Sequence, residues 1–317
     1  LSIVSSFSYA VTRLRRVAWT FYFKQLRPRL PKWFIGGASA VYRPYVMWRL
    51  SPAATRALGP RHAINRARID VDITWVCKLR CIHCNRSCQQ APTEERMTVE
   101  QFRYFLEESR ERGNPWRQIH LNGGEPTLHP HLFEMLDLLL DYRRRHAPHT
   151  HLKITTSGHG EEVAEVLKRI PPGIFVRNTS KQSCYQDAFV PLNIAPVDLP
   201  EYRGADFRNG CQIIRDSGFG LTPNGYYPCV LAGAIDRIFG FNLGRMTLPA
   251  PDDAMEHEIS RFCSLCGFFR TNYSVENGGL PQLSPSWEYA YRAYRERRPE
   301  LPAYPGVARP LSNAANV

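Results

Sequence analysis

From Asp70 onward, short stretches that alternate apolar and polar residues are separated by longer stretches of helical period. Asp70–Val76 alternates residue by residue and reads as a strand. Thr98 followed by Gln101 forms a capping box, opening a helix that buries Phe102, Phe105 and Leu106. Arg117–Leu121 predicts a second strand, stopped at Asn122-Gly123-Gly124. Pro130 suits the first turn of a helix with Leu132, Met135, Leu136 and Leu139 on one face. That helix ends in Arg143, Arg144 and Arg145, where cations suit its dipole. Leu152–Thr156 predicts a third strand, and Glu161–Arg169 a helix broken by Pro171-Pro172-Gly173. Ile174–Arg177 and Phe189–Ile194 are further strand candidates. Strands alternating with helices of this length imply βαβ units, a mostly parallel sheet and an α/β fold. Room for about five strands before Cys211 argues against a complete eight-stranded barrel.

The flanks read differently. Between Ser5 and Arg27, Phe7, Ala10, Val11, Leu14, Ala18 and Phe21 share a helical face. Arg13, Arg16, Lys24 and Arg27 lie opposite, and Pro28 and Pro31 end the element. Residues 33–48 are aromatic and apolar, broken by Gly36-Gly37 and Pro44. Beyond Gly210, Phe219–Leu221 and Tyr226–Val230 flank Pro223-Asn224-Gly225 and predict a hairpin. The expected organisation is an N-terminal arm (1–69), a βα body (70–209), a small second domain (210–269) and a tail (270–317). Within the tail, helical spacing appears only around Trp287–Tyr294.

Composition sharpens this division. An apolar fraction of 43% with 12% aromatics excludes a disordered chain. Lys and Arg number 41 against 29 Asp and Glu, but the excess is local. Residues 1–69 hold 13 Lys or Arg and no acid, and the rest is close to neutral. No run of about 18 uninterrupted apolar residues occurs, which argues against a spanning helix. No secretory signal is legible, and nine cysteines in tight spacings read as ligands rather than bridges. The expected location is cytoplasmic. The basic, aromatic arm (Trp19, Phe21, Tyr22, Phe23, Trp33, Phe34) matches a surface-lying membrane helix, with peripheral attachment through residues 1–50. Packing of the arm on the body and a targeting segment are the other readings.

Cys77-Lys-Leu-Arg-Cys81-Ile-His-Cys84 is C-x3-C-x2-C directly after the first predicted strand. Three thiolates on one loop can hold three irons of a [4Fe–4S] cube and leave the fourth iron open. Zinc prefers paired knuckles and four ligands. This motif resembles the cysteine motif of the radical S-adenosylmethionine (radical SAM) superfamily. The resemblance extends to Gly123-Gly124-Glu125-Pro126 after the second strand and to Thr155-Thr156-Ser157-Gly158 after the third. It covers roughly residues 70–195 and implies a partial parallel βα barrel, with cluster and SAM at the C-terminal mouth of the strands. It implies that Cys77, Cys81 and Cys84 hold the cluster and that Gly123 and Gly124 allow close backbone approach. By the same resemblance Glu125 contacts the methionyl ammonium, His83 lies against the adenine, and Ser157 meets the ribose.

Cys211, Cys229, Cys263 and Cys266 could complete a closed four-thiolate site, which spacing alone leaves open between zinc and iron–sulfur. Behind a radical SAM core it resembles the twitch domain, a short form of the SPASM domain that binds an auxiliary [4Fe–4S] cluster. Within the superfamily the pattern is most similar to the 2-deoxy-scyllo-inosamine dehydrogenases and relatives. The resemblance implies two [4Fe–4S] clusters, SAM, and a hydrogen abstraction from a hydroxylated or sugar-like small molecule, with two-electron oxidation. Phosphorylated and lipid-linked substrates are both admitted, and a reduced flavodoxin or ferredoxin is the expected electron donor. Cys88 and Cys184 read as small buried hydrophobes, or, for Cys184, as a hydrogen donor at the barrel mouth, which would make the enzyme an epimerase. Peptide or lipid modification is a further alternative. The non-enzyme rival, a basic zinc or cluster protein on nucleic acid, is disfavoured by the GGEP motif. The histidines, His129, His131, His146, His149, His151 and His159 among them, read as a solvated face.

Overall fold

The structure, a computed structural model, describes residues 43–184, 190–270 and 283–305. The amphipathic helix expected between Ser5 and Arg27 lies outside them. The chain divides into two units, Leu1–Arg49 and Leu50–Val317. In the first, residues 43–49 are helical. Among the described residues no helix is long and apolar enough to cross a membrane.

The second unit opens with α1 (Pro52–Leu58), whose cap Ser51 accepts from Ala54 N. A six-stranded sheet follows, ordered β4-β3-β2-β1-β5-β6. The strands are β1 (Arg68–Thr74), β2 (Gln118–Gly123), β3 (His151–Thr156), β4 (Phe175–Asn178), β5 (Phe219–Thr222) and β6 (Gly225–Tyr227). Every pairing is parallel except β5 with β6. The expected hairpin therefore forms, but β5 pairs with β1 and extends the same sheet. Phe189–Ile194 gives no strand: residues 190–194 are irregular, and Phe189 lies outside the described residues. Pro191 has no N–H to offer a ladder, and the neighbouring carbonyls of Leu192 and Asn193 accept from Gly267 and Ser284 instead. Among the described residues four strands, not about five, precede Cys211.

The crossovers after β1, β2 and β3 contain α2 (Val99–Glu111), α3 (Leu132–His146) and α4 (Glu161–Lys168). Both halves of the Thr98–Gln101 capping box are made. Pro130 stands before the cap residue His131 rather than inside the first turn of α3. Ile69, Val71, Ile73, Ile119, Leu121, Leu152 and Ile154 pack with Phe102, Phe105, Leu132 and Leu136 in one core. Burying one such side chain stabilises the fold by about 2 kcal/mol.

The opposite face of the sheet is polar, and this is what positions the site. Asp70 and Asp72 on β1 pair in register with His120 and Asn122 on β2, and His120 pairs with Lys153 on β3. Beyond the barrel strands lie α5 (Gln212–Asp216), α6 (Val230–Phe239), α7 (Glu256–Cys263) and α8 (Pro285–Glu296). Helix α6 is buried from Val230 to Ile238, and its first residue crosses Gly220 of β5 so closely that a Cβ there would meet Val230 Cα at 2.3 Å.

Candidate cofactor site

The loop after β1 is shaped by its own sequel. Gln89 donates to the carbonyl of Cys77 (2.6 Å), and Gln90 to those of Cys81 (2.8 Å) and Ile82 (2.9 Å). Leu79 N donates to Cys77 Sγ at 3.4 Å, and Lys181 Nζ to Cys81 Sγ at 3.7 Å. Burial, with Cys84, Glu125 and Cys81 nearby, pushes the Cys77 thiol up to about 12. Cys84 is held down to about 6, chiefly by a hydrogen bond from Cys88. The three predicted thiols and Glu125 are thus gathered within electrostatic reach of one another. Cys88, as expected, is buried.

The GGEP turn is built against this loop. Gly124 N donates to Thr74 O and Glu125 N to Val76 O, both at 2.8 Å. A Cβ on Gly123, at φ +133°, would meet Thr74 O at 2.2 Å; one on Gly124 would meet Val76 O at 2.3 Å. The close approach the glycines permit is therefore to the chain's own backbone at the end of β1. Buried Glu125 ties in the third strand end. Its Oε1 accepts from Thr127 Oγ1 and Thr156 Oγ1, both at 2.8 Å. Its Oε2 accepts from Ser157 N (2.8 Å) and Ser157 Oγ (2.6 Å). Two motifs far apart in sequence, the GGEP turn and the third strand end, thus meet on one carboxylate, with Cys77 of the third within its electrostatic reach, although the Ser157 hydroxyl faces Glu125 here. His83 is buried, with Nδ1 3.0 Å from Asn193 Oδ1.

Cys211, Cys229, Cys263 and Cys266 are all buried. Burial raises each thiol, Cys211 to about 11 and Cys229 to about 12, and each of Cys229, Cys263 and Cys266 also feels Cys211. Cys211 and Cys229 cap α5 and α6, and Cys263 ends α7. Backbone N–H groups donate to three of the sulfurs: Ile213 and Ile214 to Cys211, Leu231 and Ala232 to Cys229, Phe268 to Cys266. Such donors favour anionic sulfur. Among the described residues no three His, Cys, Asp or Glu side chains converge on a single metal ion.

Two histidine expectations and one cysteine reading need correction. Cys184 is exposed, not buried; its carbonyl accepts from Arg80 N in the cysteine loop at 2.6 Å. His129 is buried rather than solvated, with Nε2 2.9 Å from Met97 O and Nδ1 accepting from His131 N at 3.1 Å. That fixes a neutral ring, and burial holds its pKa down to about 4. His120 is also buried, with Nδ1 3.0 Å from Asp70 Oδ1.

Sequence reasoning missed the polar face of the barrel. Arg86 grips Asp72 with two bonds, Nε at 3.1 Å and Nη2 at 3.2 Å. Burial raises the Asp72 carboxyl to about 6 even with Arg86 opposing it. The same guanidinium lies within electrostatic reach of Cys84 and of Cys229, one thiol of each cysteine set. The alternation of β1 and β2, with polar residues at every second place of buried parallel strands, was the available signal.

No curated protein matches the chain. Among solved structures, BtrN in complex with AdoMet and 2-DOIA aligns over 70% of this chain and 93% of its own, at 14% identity and TM-score 0.35. BtrN in an open conformation aligns over 71% and 97%, at 14% identity and TM-score 0.34. Streptococcus suis SuiB bound to precursor peptide SuiA aligns over 39% and 26%, at 16% identity and TM-score 0.26. Residues 71–220 match the model of the radical SAM superfamily, the stretch that holds the three-cysteine loop, the GGEP turn and the Ser157 turn, and that stretch is a radical SAM domain.

Proposed function

We propose that the chain is a radical SAM oxidoreductase that oxidises a hydroxylated, sugar-like small molecule by two electrons. The observation that carries this is the bonding of the third strand end to Glu125 of the GGEP turn, with Cys77 in electrostatic reach, on a stretch that matches the radical SAM family. By ligand type the donor sets suit the cofactors. Cys77, Cys81 and Cys84 supply three thiolates from one loop, and a cube held so keeps one iron for SAM. Bound there, the [4Fe–4S] cluster and SAM supply a 5′-deoxyadenosyl radical able to take hydrogen from an unactivated carbon. Gly123 and Gly124 hold the turn tight, Glu125 and Ser157 offer polar atoms to SAM, and His83 offers a ring to the adenine. The four-cysteine segment within 210–269 holds a second [4Fe–4S] cluster as electron acceptor, supported by five backbone N–H groups at its sulfurs. Zinc is the competing occupant.

An exposed thiol at Cys184, tied through its carbonyl to the cysteine loop, supports epimerisation as the second reading. A reduced flavodoxin or ferredoxin would supply the electron. The basic residues of the arm, with exposed Tyr45 and Trp48, support peripheral membrane contact.

Anaerobic reconstitution tests the reading. We expect about eight irons per chain and reductive cleavage of SAM. Turnover in deuterated water should give a product lighter by roughly two mass units, with Cys184→Ala active. A solvent deuterium at carbon, lost in Cys184→Ala, would assign an epimerase. Zinc retained at the four cysteines would overturn the second cluster.

A further inference from the structure

The polar face of the barrel holds a hydrogen-bonded chain across three strands. Asp70 and His120 are register partners on β1 and β2. Asp70 Oδ1 lies 3.0 Å from His120 Nδ1, and His120 Nε2 lies 2.7 Å from Thr155 Oγ1 on β3. An ionised Asp70 calls for the hydrogen on Nδ1. Nε2 then carries the lone pair and accepts the Thr155 O–H. The Asn122 Nδ2 is placed 3.0 Å from the same Nδ1; with hydrogen on Nδ1 the carboxamide turns its oxygen there instead. The carboxylate orients the ring, the ring holds the hydroxyl, and exposure rises along the series: Asp70 and His120 are buried, Thr155 half-buried. The hydroxyl is thus the end of the chain nearest solvent. A buried Asp–His pair with this outlet is more than a core contact needs, because apolar residues would fill the same volume at less desolvation cost.

We propose that Asp70, His120 and Thr155 form a proton relay that receives the hydroxyl proton of an alcohol substrate as its carbinol carbon is oxidised. The inference rests on the reading of this site as an alcohol-oxidising radical SAM centre. The carbinol C–H bond breaks and its hydrogen atom goes to the SAM-derived radical. The O–H bond breaks as its proton passes to Thr155 Oγ1 while the Thr155 proton passes to His120 Nε2. The remaining electron reduces the second iron–sulfur cluster, the oxidant, and C–O becomes C=O. Asp70 stays ionised and stabilises the imidazolium, so it is a positioning residue. The groups that face His120 are Asp70 from β1, Lys153 from β3 and Arg86 from the cysteine loop. Burial and the two cations hold the ring neutral, and Asp70 opposes them. Both carboxylates of this face are already partnered, Asp70 by His120 and Asp72 by Arg86. The lining therefore suits a neutral polyhydroxylated compound rather than a strongly cationic one.

The test uses the full chain with both sites reconstituted, and the neutral polyols scyllo-inositol and myo-inositol as probes. Thr155→Val and His120→Gln should still cleave SAM, with ketone yield about 100-fold lower, whereas Thr155→Ser restores it. ¹⁵N-histidine spectra of the full chain before reconstitution should show His120 protonated at Nδ1 and bare at Nε2. Ketone formation at the parent rate and pH profile in Thr155→Val, or a ring protonated at Nε2 instead, would overturn the relay. Parent protein that cleaves SAM but oxidises neither probe would overturn the polyol class. Parent protein that does not cleave SAM overturns the reading of the cofactor site, and the histidine spectra still decide the relay.

Discussion

Cys77, Cys81 and Cys84 lie within eight consecutive residues of one loop, partly reached by solvent. Cys211, Cys229, Cys263 and Cys266 span 56 residues, come from separate helix ends and are all buried. The first site has backbone N–H groups on its sulfurs too, but adds side chains acting on loop carbonyls, through Gln89, Gln90 and Arg237. The second is held by backbone N–H groups acting on sulfur. A loop that must admit a substrate stays near the surface and takes its shape from neighbours. A closed site takes its shape from the helices it joins, so its ligands also serve as cross-links between elements.

Substitution of the cysteines should separate the two sites most sharply. In Cys77→Ala/Cys81→Ala/Cys84→Ala we expect SAM cleavage to vanish, about four irons to remain, and thermal stability to change little. In Cys263→Ala/Cys266→Ala we expect the second cluster and much of the folding stability to be lost together, because metal binding at buried ligands is folding free energy. Iron analysis with calorimetry of both reconstituted variants checks this. Equal loss of stability in the two would remove the distinction between a functional loop and a structural cross-link.

The same difference governs how much was legible in the sequence. A contiguous C-x3-C-x2-C beside a strand shows its purpose locally, as do the GGEP turn and the Thr98–Gln101 cap. The alternation of β1 likewise predicted a strand, but only the register of β1 with β2 shows that Asp70 faces His120. Nor could local pattern show that β5 would join β1 rather than start a sheet of its own, since a parallel pairing 150 residues away leaves no trace in either strand. Pro191 misled in the other direction. Its apolar neighbours look like a strand, yet their polar groups serve the loops at Gly267 and Ser284. His129 was misread because histidine in a polar run reports nothing about burial, and His120, between Ile119 and Leu121 of a predicted strand, because alternation alone does not show that both faces of the strand are covered.

Arg237 on α6 tests whether the two sites depend on each other mechanically. The helix begins at Cys229 of the second site. Eight residues on, Arg237 donates to Ala91 O (2.6 Å) and Arg86 O (2.9 Å) of the loop that carries the first, and stacks on Trp75. Replacing it leaves two carbonyls without these donors and removes a desolvated cation–π contact. Arg237→Met should cost about 3 kcal/mol in urea unfolding. It should also lower SAM cleavage while leaving iron at the four cysteines. Normal SAM cleavage at that loss of stability would show the strut to be purely structural.

The smallest expected effect concerns acid, and it falls on the first site's foundation. The 3-10 turn Pro126–Leu128 follows Glu125 and ends at His129, whose N donates to Pro126 O at 3.1 Å. Neutral His129 holds this turn to Met97 O, and protonation would force a second hydrogen against His131 N–H. The ring's pKa falls from an ordinary 6.5 to about 4 in the folded chain, mainly through burial. Between those values the unfolded chain binds a proton that the folded one does not. Stability therefore falls as pH drops from about 6.5 towards 4 and levels off below. At pH 5 the cost from this one group is about 2 kcal/mol. The backbone donors around the four cysteines do not titrate and contribute no such slope. Hydrogen exchange at pH 7.5 and pH 5 should show amides of residues 126–131 losing protection before those of 229–232. In His129→Gln, whose carboxamide can still donate to Met97 O, the acid-dependent loss at 126–131 should disappear. Parallel loss of protection at both segments in the parent protein would mean that acid acts on the unit as a whole, and that the first site has no weak foundation of its own.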